Sequence, residues 1–348
     1  MSYDRSTQNT NLAKELMTAA LDIKQAHILS EWVHDRPLIS CRFEPQGRYV
    51  FAGAEDNTVQ RWALADGVKT PLVGHDSWVK AIAFSKDGET TITGGSEGRL
   101  IWWPTAAEKP TEIRRIDAHQ GWIRSMSVSP DGALLASVGN DLSVRLWNVA
   151  DGSLVREWPA HERYIYCVQF HPSGEFLITG DLVGVVKQWN VATGELVRTF
   201  DAKPLHTYEG GQQVDFGGVR TIAVSPDGKY LTAGGLHKAT NPLGAVHEPL
   251  ELLWEWENQT LVRSHIAEGI TGGVLWRSLY LADQTLMGAC GGSTGGFLLF
   301  WKPDDDKAFH RFTYPVLVRD MDLHPDGIRV ATAHYDRNVR IVSLSAKA

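Results

Sequence analysis

Cysteine is scarce in this chain, with three in 348 residues, at Cys41, Cys167 and Cys290. An odd and sparse count excludes a disulfide framework, and all three fall within apolar strand patterns, where a thiol behaves as a small buried hydrophobe. A reducing compartment follows, and a cytoplasmic protein is expected. Long apolar runs are also missing. No 18-residue apolar stretch exists, so no membrane-spanning helix and no membrane partner is expected. Met1 to Thr10 is polar and the following run is broken by Lys14, Glu15, Asp22 and Lys24, which does not read as a secretory signal. Positive charge is not in excess: 34 Lys and Arg stand against 41 Asp and Glu, for a net charge of −7 and a pI near 6.0. That balance argues against a generally basic nucleic-acid-binding domain. Catalytic signatures are absent as well, with no HExxH, no CxxC and no nucleophile elbow. Gly291 to Gly296, GGSTGG, lacks the following Lys of a phosphate loop, and Asp304-Asp305-Asp306-Lys307 reads as a charged, solvated turn.

What is abundant is periodic. The 13 Trp and 33 Gly recur at fixed places, most clearly in His119 to Trp147, HQGWIRSMSVSPDGALLASVGNDLSVRLW. Ile123, Met126 and Val128 are spaced for a buried inner strand, and Pro130-Asp131-Gly132 supplies turn chemistry. Ala133 to Val138 is apolar and β-prone, Gly139-Asn140-Asp141 turns again, and Val144, Leu146 and Trp147 complete a third strand. Such a piece cannot bury both faces alone and needs copies of itself as neighbours. The copies exist. Their closing Trp residues are Trp62, Trp103, Trp147, Trp189, Trp254 and Trp301, with Val342 in the same place at the end, at intervals of 41, 44, 42, 65, 47 and 41 residues. A turn of the Pro-Asp-Gly kind recurs at Pro45, Lys86, Pro130, Pro172, Pro226 and Pro325, and only the sixth copy departs from it, with Ala282-Asp283-Gln284. A period of about 40–45 residues is that of a propeller blade.

These repeats resemble WD40 repeats over roughly residues 27–345. The resemblance implies an all-β, seven-bladed β-propeller of four-stranded antiparallel blades, acting as a non-catalytic protein-binding scaffold without a cofactor. It also implies a hydrogen-bonded tetrad of His, Ser or Thr, Asp and Trp, matched in full by His119, Ser137, Asp141 and Trp147. The first copy keeps His34, Asp56 and Trp62 but has Ala52 for the hydroxyl, and the second keeps His75, Thr93 and Trp103 with Glu97 for the acid. The fourth keeps His161, Thr179 and Trp189 with Val183 at the acid position, and the last keeps Thr332 and Asp336 without His or Trp. Buried imidazole, carboxylate and indole groups must find one another or stay unsatisfied, so these residues read as structural.

The chain is expected to divide into a tail, 1–26, carrying a short amphipathic helix over 11–24 on Leu12, Leu16, Ala19 and Ile23, and a propeller, 27–348. The last copy ends with its third strand. His27 to Trp32, HILSEW, resembles the outer strands of other copies and is expected to complete the seventh blade, closing the ring.

Function is expected on the face formed by the loops before the inner strands, here called the top. The residue after the opening apolar position of each inner strand is Lys80, Arg124, Tyr166, Arg220, Arg277 or Arg319, with Ile39 as the exception, so five of seven copies place a cation near the channel mouth. Trp78, Trp122 and Tyr164 stand two residues earlier in copies two to four. Cations beside amphipathic rings suit an acidic or phosphorylated segment of a protein partner. Pairing of the same cations with neighbouring blades is the competing reading. The 65-residue interval holds two insertions, about 202–217 and 236–250, expected side by side on the top face. They leave two further readings open. One is an enzyme or a small-molecule or metal sensor, with His206, Asp215, His237, His247 and Glu248 converging, although no ligand-pair spacing supports a metal. The other is a subunit of a nucleic-acid complex, which the acidic balance disfavours.

Overall fold

The computed structural model describes residues 20–239 and 247–347. Their strands form seven four-stranded antiparallel sheets and one two-stranded hairpin. The sheets are the blades of a closed propeller. Blade 3 shows how each forms. Its strands are Ile123–Val128, Leu134–Gly139, Ser143–Asn148 and Leu154–Pro159, each joined to the next by a short turn. In the first turn Ser129 donates its hydroxyl to Asp131 Oδ1 at 2.5 Å and accepts the Leu134 N–H at 2.9 Å. Gly132 there takes a φ of +82°, a left-handed conformation natural to glycine. Blade 6 makes the same turn without glycine, and Gln284 carries the positive φ, +66°.

The Trp spacing marks one structural position. Trp62, Trp103, Trp147, Trp189, Trp254, Trp301 and Val342 lie opposite Val50, Thr91, Leu135, Leu177, Leu231, Leu286 and Val330 of their second strands. The apolar core is divided among slots between blades. Ile92, Leu100 and Trp102 of blade 2, for example, pack on Leu135 and Trp147 of blade 3. Around the channel, side chains tie one inner strand to the next. Asp320 and Asp322 of blade 7 accept the N–H groups of Cys41 and Phe43 of blade 1 at 3.1 and 2.8 Å. Ser125 and Ser127 accept those of Val168 and Phe170 at 3.3 and 3.2 Å, and Thr221 accepts that of Ser278 at 2.9 Å. Inner-edge N–H groups that no ladder would satisfy are thus covered.

Closure follows the expected route. His27–Val33 pairs antiparallel with Asn338–Ser343 to complete blade 7. The chain just before it is also anchored, by Asp22 N–H to Leu344 O at 2.7 Å and by Ile23, buried among Leu281, Met287 and Leu344. The helix expected over 11–24 falls mostly outside the described residues. Its described end holds a single 3-10 turn, Ile23–Gln25, and that turn and Lys203–Leu205 are the helical segments among the described residues.

The cysteines behave as expected. All three are free and buried. Burial raises each thiol, that of Cys290 to about 12, so none is poised as a nucleophile.

Candidate functional site at the channel mouth

Most inner strands open on a β-bulge, and the bulge sets the ring of residues at the channel mouth. Pairing skips one residue between Leu38 and Ser40, Val79 and Ala81, Ile123 and Ser125, Ile165 and Cys167, Leu275 and Arg277, and Val318 and Asp320. The skipped residues are Ile39, Lys80, Arg124, Tyr166, Trp276 and Arg319, and unpaired bulge residues are free to re-aim their side chains. In blade 5 Arg220 holds the same place, just before Thr221, which pairs with Gly234. The sixth position therefore belongs to Trp276, which corrects the expected Arg277. Arg277 lies one residue along the strand and lines the narrower channel beneath, with Arg42 and Asp320.

Above that narrowing lies a cavity of about 310 Å³. Ile39, Trp78, Trp122, Trp276 and Leu317 form its apolar wall, and Lys80, Arg124, Arg220 and Arg319 bring its charge. A glycine permits this packing: a Cβ on Gly139 would come within 1.9 Å of the Trp122 carbonyl oxygen. Trp78, Trp122 and Tyr164 are 43%, 42% and 44% exposed, far more than the ring-bearing core residues. Trp78 is held by its indole N–H on Glu55 O at 3.1 Å. The Arg124 guanidinium lies 4.6 Å from the Trp122 ring centre and 4.5 Å from that of Tyr166, and Arg220 lies 4.1 Å from Tyr166. Arg124 also donates to Asn140 Oδ1 at 2.7 Å. Such contacts hold guanidinium planes in place without cancelling their charge.

The cations do not share one fate. Arg319 pairs with Glu55 of the neighbouring blade at 2.6 Å and rests 4.6 Å from the Tyr335 ring, as the structural reading requires. Among the described residues, no carboxylate pairs with Lys80, Arg124 or Arg220. Burial, reinforced by the charges of Arg220 and Arg124, pushes the Lys80 ammonium down to about 8.

The tetrads are internal. In blade 3 His119 meets Asp141 Oδ1 at 2.9 Å and Ser137 Oγ at 2.7 Å, and Trp147 donates to the same Ser137 oxygen at 2.8 Å. Burial keeps His119 below its ordinary value. Burial alone would raise the Asp141 carboxyl, but hydrogen bonds from His119, Arg145 and the Gln120 N–H hold it well below the carboxylate range. Blade 2 repeats the set, with Glu97 as the acid, 2.5 Å from His75. The worn copies find substitutes. In blade 4 the acid is Asp181, two residues before Val183, at 2.9 Å from His161. In blade 7 Thr332 bonds His334 of its own strand at 2.8 Å, and Tyr314 of blade 6 approaches the same hydroxyl at 3.3 Å.

The two fifth-blade insertions meet beside the mouth. His206–Glu209 and Val214–Gly217 form the hairpin, and Tyr230–His237 and Glu248–Glu255 are lengthened strands. Phe216 of the hairpin packs with Leu236, Ala239, Val274 and Trp276, so the insertions reach the cavity only through Trp276, which lines it. Residues 240–246 of the second insertion lie outside the described residues. His206 bonds Asp215 at 2.9 Å and His237 stands 3.3 Å from Glu248. Among the described residues no three His, Cys, Asp or Glu side chains gather as a metal site would need.

Fold and mouth together define a class: a seven-bladed repeat propeller whose tetrad His and Asp residues are held inside the blades and whose channel mouth is cationic and rimmed by aromatic rings. The repeat itself is that of the WD domain, G-beta repeat family, whose model matches residues 26–63, 67–104, 110–148, 152–190, 202–238 and 309–343, and the protein belongs to this family. Propellers of this family typically serve as protein-interaction scaffolds. Among curated proteins, the chain is similar to Protein hir1 of Schizosaccharomyces pombe, 25% identical over 141 residues, and to Protein HIR1 of Cryptococcus neoformans, 29% identical over 139 residues. Each of these matches covers 35% of this chain but 15% of the relative. A p21-activated protein kinase-interacting protein 1-like of Danio rerio is 30% identical over 106 residues, 30% of this chain and 28% of that protein. The expected cytoplasmic location is corrected by these matches, because the HIR1 relatives are nuclear proteins. No helix among the described residues is long and apolar enough to cross a membrane.

Proposed function

We propose that this protein is a non-catalytic interaction scaffold whose top face binds an acidic or phosphorylated segment of a partner protein. One observation carries the reading: Lys80, Arg124 and Arg220 converge on the mouth without a carboxylate partner among the described residues, in a protein whose net charge is −7. Unpaired cations in a partly dry cavity cost free energy unless a ligand's negative charge offsets them. Trp78, Trp122 and Tyr164 supply rigid apolar area around the charge, the composition of an interface hot spot. Tyr166 holds two of the guanidiniums. Arg319, engaged by Glu55, and Arg277, deeper in the channel, stand behind this contact set. The kinase-interacting relative is itself named for binding a protein, which agrees with this class of partner.

The test is a peptide array with acidic, phosphorylated and basic members, probed with the wild type and with an Arg124→Gln, Arg220→Gln variant whose fold is checked by circular dichroism. Acidic or phosphorylated members should bind, more weakly as salt rises, and the variant should lose at least tenfold in affinity. Unchanged binding by the folded variant would overturn the proposal.

A further inference from the structure

The mouth cavity is graded rather than uniform, and the gradient specifies a ligand. Its upper wall is apolar, built from Ile39, Trp78, Trp122 and Leu317. Toward the narrowing, Lys80, Arg124, Arg220 and Trp276 line both this cavity and the channel below it. Two donors at that level, Arg220 Nε and the Trp276 indole N–H, are buried and have no hydrogen-bond partner among the described residues. Orphaned buried donors are rare in folded proteins because their lost hydration is not repaid, so two at one depth beside three unpaired cations need an explanation. Trp276 is placed there by the blade 6 bulge and by Phe216 of the fifth-blade hairpin.

Resting on the top-face reading above, we propose that the throat is a phosphate-monoester site: a phosphate dianion sits among Lys80, Arg124, Arg220 and the Trp276 N–H, and the flat apolar group that bears it lies against Trp78, Trp122 and Ile39. A dianion matches three cations better than a single carboxylate does, and its three terminal oxygens offer the acceptors that the orphaned donors lack. A cavity of about 310 Å³ admits an aryl phosphate and is too small for a folded segment. The phosphate bearer has two possible sources, a phosphorylated side chain of a partner or a free aryl phosphate. Binding would also return the Lys80 ammonium, lowered to about 8 by burial and by Arg220 and Arg124, to its charged form, so complex formation near pH 8 takes up protons.

Isothermal titration with phenyl phosphate, inorganic phosphate and phenol tests the site. Phenyl phosphate should bind at least tenfold more tightly than either fragment, with proton uptake at pH 8 seen by comparing two buffers of different ionisation enthalpy. Lys80→Met, which keeps the apolar stem, should weaken it at least tenfold and abolish the uptake, and Trp276→Phe should weaken it severalfold in a protein that keeps its circular dichroism. A phosphotyrosine peptide that binds more tightly than phenyl phosphate identifies a partner protein as the source, and equal affinity identifies a free ligand. No binding of phenyl phosphate, or binding indifferent to Lys80→Met, would overturn the throat site. If acidic peptides were still captured through Arg124 and Arg220, the top-face reading would survive that failure.

Discussion

Ser137 is a single hydroxyl on which two buried aromatic groups depend. It accepts the Trp147 indole N–H at 2.8 Å and bonds His119 Nε2 at 2.7 Å, and it is itself inaccessible to solvent. Truncation by Ser137→Ala removes little volume but orphans both ring nitrogens, each at about 1–3 kcal/mol. The variant should therefore lose about 2–4 kcal/mol, read as a lower urea midpoint at unchanged slope. A loss below about 0.5 kcal/mol, the scale of an ordinary surface substitution, would show that the tetrad is not a structural unit. The blade 4 set shows why such residues are only partly legible in the sequence. Its acid sits at Asp181 rather than position 183, yet it reaches His161 because the end of the second strand lies as close to the imidazole as the turn after it. Motif spacing sees the turn position and misses the substitute.

At the scale of the blade, regular spacing was readable and slips of register were not. Pro-Asp-Gly turns and closing Trp residues repeat in sequence and land on one structural position, and HILSEW joins blade 7 as its pattern implies. Arg277 was misplaced by one residue because a bulge is an extra, unpaired residue that leaves no mark of its own, and blade 6 lacks the turn motif that would anchor the count. Between blades 5 and 6 lies another feature that no motif announces. Glu251 is fully buried and receives the Ser278 hydroxyl at 2.6 Å, and its other oxygen has no hydrogen-bond partner among the described residues. Burial raises its carboxyl to about 7. The sign of the linkage follows. Below the unfolded value of about 4.5 both states are protonated. As pH rises toward 7 the unfolded chain ionises first, so this contribution to stability is lost across that window and stays lost above it. Glu251→Gln removes the ionisation. Against wild type it should gain about 2 kcal/mol at pH 8 relative to pH 5, measured as the difference between the two proteins so that buried histidines such as His119 and His161 cancel. A pH-independent difference would refute this account of Glu251.

For the whole molecule, stability rests on a contact between residues more than 300 positions apart. His27 lies opposite Ser343 and Trp32 opposite Val339, and Glu31 pairs with Arg340. Each apolar slot is closed by the following blade, so an unclosed ring leaves one blade a strand short and its Asn338–Ser343 edge bare. Loss of residues 1–33 therefore acts far beyond the seven residues of the closing strand. It also strips Ile23 from the cluster with Met287 and Leu344, and the Asp22 N–H from Leu344 O. The truncated chain should melt at least about 5 °C lower, as a loss of several kcal/mol in a chain this size implies, and with a broadened transition. A peptide spanning residues 20–33, added in excess, should restore part of the loss by binding the folded state alone. If the truncated chain melted at the wild-type temperature, the stability of the ring would have to come from the slots between blades without the closing strand. Channel geometry adds a second readout. Asp320 and Asp322 of the blade being closed hold the N–H groups of Cys41 and Phe43, and Arg319 of that blade holds Glu55, whose carbonyl in turn positions Trp78. Loosening blade 7 should thus disturb the mouth before the far blades unfold, and quenching of Trp fluorescence by a binding peptide should fade at temperatures below the main melt.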